Sequence, residues 1–152
     1  MGLSTSQSES WFNYPVVVQP HHTDYAGVVW HGSYIAWMEE ARSAALRDAG
    51  LEFAALVSLG CDLPVIDLSL NYRASVKMGD QVRVRSRLAR IEKVRFIWTQ
   101  NICALDSEFC YVAGQVVLIP VSRDQRRILR KFPPLLETAL ESLYHPDDQN
   151  AV

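Results

Sequence analysis

The spacing of apolar residues changes once along the chain, and that change restricts the fold more than any other feature. Between about Ser33 and Ala49, the residues Tyr34, Trp37, Met38, Ala41, Ala44, Ala45 and Ala49 recur at helical spacing. Glu39, Glu40, Arg42, Ser43 and Arg47 occupy much of the other side. Ser33 can cap the start and Gly50 can close the end. From Pro64 onward the period becomes two. In PVIDLSLNYRAS, Val65, Asp67, Ser69 and Asn71 alternate with Ile66, Leu68, Leu70 and Tyr72. QVRVRSRLARI sets Val82, Val84, Ser86 and Leu88 against Arg83, Arg85, Arg87 and Ala89. Two more strand-like runs, RFIWTQNICAL and FCYVAGQVVLIPV, are separated by Asp106-Ser107-Glu108.

One long helix followed by strands on short turns predicts an α+β domain with an antiparallel sheet. An earlier run, YPVVVQP, is bounded by Pro15 and Pro20 and reads as an edge strand. A short helix or turn is expected over 52–60, and a further short helix in PPLLETALESL. The buried helical face is rich in Ala, so a sheet could curl closely around it. The chain divides into an N-terminal tail over 1–11, a domain over 12–132, and a C-terminal helix and tail over 133–152. MGLSTS matches a myristoylation pattern only through Gly2 and Ser6, and reads more simply as a frayed tail. Strands this apolar leave edges for another subunit, so an oligomer is expected.

Composition narrows the function. The chain has 152 residues and a net charge of −2, so no global positive field argues for nucleic acid. No run has the length of a membrane span. Three cysteines, Cys61, Cys103 and Cys110, with no signal peptide in the sequence, point to the cytoplasm. Cys103 and Cys110 flank a hairpin tip and can face each other, but spacing alone does not establish a bond. No Cys/His spacing suggests a metal, and His21-His22 is a doublet in a polar loop.

The chemistry concentrates in HHTDYAGVVWHGSYIAWMEEAR, residues 21–42. Asp24 stands in a loop just ahead of a helix, whose first N–H groups are unpaired and carry the positive end of the helix dipole. Those groups can hold a developing oxyanion, while Asp24 acts on the same carbonyl as nucleophile or as base on water. Taken alone, a loop Asp is more often a turn residue.

The segment resembles the hotdog-fold acyl-CoA thioesterases of the 4-hydroxybenzoyl-CoA thioesterase family. The shared motif is carried by Asp24, Gly27, Val28, Val29, Trp30, His31 and Tyr34, then Glu40-Ala41-Arg42. NYRASVKMGDQVRVRSRL resembles the family's next strands, with their Ala-x-x-x-Gly-Asp link. The resemblance runs from residue 12 to 122. It implies a curved antiparallel sheet wrapped around one long helix, and hydrolysis of an acyl-CoA to free acid and CoA, with no cofactor. It implies a homodimer or homotetramer with its active site between subunits. Asp24 matches the catalytic carboxylate, and His31 the residue whose N–H receives the thioester oxygen. In one branch the His side chain is catalytic too, but that branch has a Tyr where this chain has Pro20. The first carboxylate of the usual Asp-Thr-Asp is His22 here. Glu40, spaced from Gly32 as in another branch, is an alternative base. Lys93 and Arg95 fall in a turn that resembles the family's nucleotide-binding loop, with Arg73 and Lys77 as further candidates for the CoA phosphates. Tyr25 and Trp30 are candidates for the acyl pocket and favour an aryl group, such as 4-hydroxybenzoyl or 1,4-dihydroxy-2-naphthoyl. The same fold also serves enoyl-CoA hydratases or dehydratases and could serve a non-catalytic acyl-CoA-binding protein.

Overall fold

The computed structural model describes residues 11–144. The N-terminal tail and myristoylation pattern, apart from Trp11, lie outside them, as does the tail beyond Tyr144. The chain runs β1 (Phe12–Val17), a 3-10 turn (Pro20–His22), α1 (His31–Asp48), α2 (Phe53–Ser58), β2 (Cys61–Asp62), β3 (Val65–Tyr72), β4 (Gln81–Glu92), β5 (Arg95–Ala104), β6 (Cys110–Leu118), β7 (Val121–Ser122) and α3 (Pro134–Leu143). Five strands form one antiparallel sheet in the order β1-β4-β5-β6-β3, and β2 pairs with β7 separately. This is the hotdog fold: a sheet around the long helix α1.

Most of the helical stripe read from sequence is buried, but Ala44 and Ala49 are only half-buried, and Arg42, read on the other side, is buried with Leu46. Trp37, Met38, Ala41 and Ala45 are almost wholly enclosed, together with Val82, Val84, Leu88, Trp98, Ile102, Val112 and Val116 from the sheet. The small alanines let helix and sheet come close. At Gly114 an added Cβ would lie 2.8 Å from the Met38 methyl carbon and 2.9 Å from the Gln100 carbonyl oxygen, so only glycine fits beneath the helix there. One polar group crosses this apolar layer. Buried Arg42 donates to Gln100 Oε1 at 2.9 Å, and Gln100 Nε2 donates to the Met38 carbonyl and to Ser86 Oγ, each at 2.8 Å. Each of these polar atoms then exchanges water for a protein partner, which removes most of the burial penalty.

Two features differ from the sequence reading. Helix α1 begins two residues early, at His31, so Ser33 is not its cap. Ser33 Oγ instead donates to the His22 carbonyl at 3.0 Å and ties the helix start to the preceding 3-10 turn. The second is β3. Its neighbours in the sheet lie on one side only, and Val65, Ile66, Leu68 and Tyr72 are all exposed. A strand that pattern alone places half-buried is, in one subunit, an open apolar edge. Cys103 and Cys110 face each other across β5 and β6 and are joined in a disulfide.

Candidate active site

The residues between Pro20 and Tyr34 fold into a tight structure around Asp24. Asp24 Oδ1 accepts N–H groups from Ala26 at 2.9 Å and Val28 at 3.2 Å, while the backbone N–H of Asp24 donates to the Val28 carbonyl. The turn role of a loop Asp is thus realised, but by one oxygen only. Among the described residues, Oδ2 has no hydrogen-bond partner. The turn fixes the carboxylate and leaves its second oxygen open to a ligand. Gly27, at φ +76°, supplies the left-handed residue that this turn needs.

The loop is fastened from the side by the segment leading into β4. Val29 N–H donates to the Val76 carbonyl at 2.8 Å, and Met78 N–H to the Gly27 carbonyl at 3.0 Å. Tyr34, in the first turns of α1, accepts the Val76 N–H on its hydroxyl at 3.3 Å. The ring of Tyr34 stands 5.7 Å from those of Trp37 and Tyr72. Burial raises its pKa, an effect larger than the lowering by the Val76 N–H, so the phenol stays protonated.

Helix α1 starts without a side-chain cap. Trp30 holds the cap position and provides no such bond. Ser33 N–H turns back to the Trp30 carbonyl at 3.0 Å, but among the described residues the N–H groups of His31 and Gly32 reach no carbonyl outside the helix. As its first two residues they have none inside it. The Trp30 indole lies across the Cα of Gly32 and edge-on to the His31 ring, with centroids 5.3 Å apart.

Asp24, Val28, Val29, Trp30, His31, Tyr34, Tyr72, Arg73, Ala74 and Ser75 line one open cleft of about 450 Å³. It combines a half-free carboxylate, open N–H groups at a helix N-terminus, aromatic walls and one cation. Such a set can orient a carbonyl, stabilise negative charge on its oxygen and deliver a nucleophile to its carbon.

A profile of the thioesterase superfamily matches residues 26–111. The chain belongs to the thioesterase superfamily. It is 42% identical to a putative esterase of Synechocystis over 136 residues, which are 90% of this chain and 82% of that protein. It is 30% identical to the acyl-CoA thioester hydrolase YbgC of Escherichia coli, over 60% of this chain and 68% of that one. A solved 1,4-dihydroxy-2-naphthoyl-CoA thioesterase from Synechocystis superposes with a TM-score of 0.80 at 25% identity, covering 90% of this chain and 99% of that one. The chain is a thioester hydrolase.

Within this thioesterase fold the sequence-derived residues separate into two groups. Asp24, Trp30, His31 and Arg73 meet in the cleft. Tyr25 does not line it: it is the fully exposed tip of the Asp24 turn. Lys93 and Arg95 are remote within one subunit. They form the β4–β5 turn at the Val65 end of the sheet, whereas the cleft is at the Tyr72 end, six paired residues away along β5 and β6, or roughly 20 Å. Lys77 pairs with Val28 beside the cleft. Glu40 lines a different depression with Tyr14, Ala36 and Arg47, and accepts a hydrogen bond from the Tyr14 hydroxyl at 3.1 Å. Arg83 and Arg85 are held by Glu108 at 3.2 and 3.4 Å, and Arg85 also stacks on Trp11.

The sequence reading passed over Tyr72 and the stretch from Arg123 to Lys131. Tyr72 closes β3 and faces the cleft, although strand alternation made it look like any surface residue. Arg123, Arg126, Arg127, Arg130 and Lys131 are exposed beside β2 and β7, at the Val65 end. Their density was visible, but no motif marked it.

Proposed function

We propose that the protein is an acyl-CoA thioesterase whose substrates carry a bulky, preferably aryl, acyl group. Asp24 carries the reading: its Oδ1 is pinned by two N–H groups, its Oδ2 has no partner among the described residues, and it lines one cleft with His31. The thioester oxygen binds at the N–H of His31. Asp24 attacks the carbonyl carbon itself, or takes a proton from a water that does. In either case water is finally added, the C–S bond breaks, and the CoA thiolate leaves and is protonated. A thiolate is a good enough leaving group to need no strong acid. Tyr72 and Trp30 form the walls that favour a planar acyl group. Names of relatives support the class: one acts on acyl-CoA thioesters and another on 1,4-dihydroxy-2-naphthoyl-CoA.

The working unit in this reading is at least a dimer, built through the open edge of β3. Antiparallel pairing of two β3 edges satisfies their N–H and C=O groups and covers Val65, Ile66 and Leu68. It also sets the Val65 end of one subunit beside the Tyr72 end of the other. Lys93, Arg95 and the cations of 123–131 then approach the partner's cleft, where the phosphates of CoA would lie. A cytoplasmic enzyme is consistent with a helix set in which none, among the described residues, is long and apolar enough to cross a membrane.

The test is a panel of aryl-, short- and long-chain acyl-CoA thioesters, followed by CoA release, with Asp24→Asn as the control. Turnover fastest on aryl thioesters, and nearly abolished in Asp24→Asn, is expected. Near wild-type turnover in Asp24→Asn would remove Asp24 from the chemistry and bring Glu40 forward. Hydration of an enoyl-CoA without CoA release would replace the thioesterase assignment.

A further inference from the structure

We infer that Tyr34 is a positioning residue, which sets the distance between the Asp24 carboxylate and the N–H groups at the start of α1 through the backbone of Val76. The inference rests on the thioesterase reading above and assigns a task to a residue that reading does not use.

Two parts of the site belong to different pieces of structure. Asp24 is in a loop, and the oxyanion groups are at the end of a helix. Between them run the short link through Val28 and Val29 and the His22 carbonyl, which accepts the Trp30 N–H at 3.2 Å and the Ser33 hydroxyl at 3.0 Å. Val76 connects both. Its carbonyl accepts the Val29 N–H at 2.8 Å, which fixes the loop, and its N–H donates to the Tyr34 hydroxyl at 3.3 Å, which fixes the helix. The peptide units on either side of one residue therefore add a second gauge of the gap beside the His22 carbonyl. Val76 and Tyr34 are both enclosed, at 0% and 3% exposure, so water does not replace the bond if it is lost. The Tyr34 ring is independently held by Trp37 and Tyr72. Removing the hydroxyl therefore leaves the ring in place and deletes only the tie.

Tyr34→Phe isolates that tie. Displacement of catalytic groups by even 1 Å can cost about 10²-fold in rate. We expect kcat on the best acyl-CoA substrate to fall by about 10- to 100-fold, with KM changed less than about threefold. Amide hydrogen exchange should accelerate at Val29 and Val76 while the centre of β5 stays protected. Val116→Ala, a core deletion at the far end of the sheet, supplies a destabilised control that should keep kcat. Unchanged kcat in Tyr34→Phe, or a rise in KM alone, overturns the positioning role. The second result would make Tyr34 a substrate contact. Equal loss of kcat in Val116→Ala also overturns it, since general loosening would then explain the effect. Exchange at Val29 and Val76 that does not change in Tyr34→Phe refutes the tie whatever the activity. A wild-type protein that releases no CoA from any thioester defeats the thioesterase reading instead, and the two failures are distinct.

Discussion

Gly32→Ala separates stability from function because the methyl group has no room. A Cβ on residue 32 would overlap three carbons of the Trp30 indole, Cη2, Cζ3 and Cζ2, the last at 2.7 Å. Ordinary carbon contacts are about 3.5–4.0 Å, so the ring must move by about 1.5–2 Å at its nearest carbon or swing away. Trp30 is 47% exposed, so roughly half its surface is packed. Half of a typical aromatic side chain is about 100 Å², or about 2.5 kcal/mol if all of it is re-exposed. Alanine returns up to about 1 kcal/mol of helix propensity. Full re-exposure of the ring therefore costs a net of about 1.5–2.5 kcal/mol, or roughly 3–10 °C in Tm for a domain of this size. Activity should fall more than stability suggests, because Trp30 lines the cleft beside His31 and the displaced indole must shift within it. We expect kcat for aryl-CoA hydrolysis to drop at least 10-fold, measured by CoA release beside a thermal melt. In a Trp30→Ala background the same methyl should be nearly silent. If Gly32→Ala keeps full activity, or if its effect is as large without the indole, the steric argument is wrong.

Other expectations are more local. If the His31 N–H binds the thioester oxygen as proposed, His31→Pro should lose at least about 10² in kcat by deleting that donor. His31→Ala keeps that N–H and should lose far less, with circular dichroism confirming both folds; equal losses would make the imidazole itself catalytic. Burial, with a smaller push from His21, lowers the pKa of His22 below its ordinary 6.5 despite the opposing pull of Glu40. The neutral ring accepts the Gln19 N–H on Nδ1 at 2.9 Å. The unfolded chain therefore binds the proton more readily, and this contribution is full above pH 6.5 and fades as pH falls through the lower folded value. A Tm series across that range should show the decline, and His22→Asn should flatten it. Reducing Cys103–Cys110 opens a short hairpin loop and should cost about 2.5 kcal/mol by the loop-entropy relation, or roughly 5–10 °C in Tm, seen in melts with and without dithiothreitol. In a reducing cytoplasm the facing cysteines would stand as thiols.

Much of this architecture was written in periodicity. The α1 stripe and the alternation of Val82 to Leu88 each follow from which face must be buried, and the structure buries most of those faces. Asp24 and His31 were legible as candidates because a motif placed a carboxylate ahead of a helix, and the structure sets both in one cleft. Other details depend on contacts distant in sequence. The start of α1 was misplaced because Ser33 looks like a cap, and only the His22 carbonyl shows what its hydroxyl does. Tyr25 looks like a pocket residue next to Asp24, but turn geometry sends it outward. The separation of Lys93 and Arg95 from the cleft follows from strand register, which alternation does not reveal. Val76 reads as one more apolar residue in a connector, because both of its key bonds are made by its backbone.

The Arg42–Gln100–Ser86 bridge settles where the helix can lie along its axis. Ala41 and Ala45 present the same small surface one turn apart, so their packing would look nearly alike after a slide of about 5.4 Å. Such a slide would carry the guanidinium past Gln100 and strand buried donors. The smooth face allows closeness and the bridge forbids drift. A binding groove built on the end of this helix thus inherits its address from a side chain three turns away.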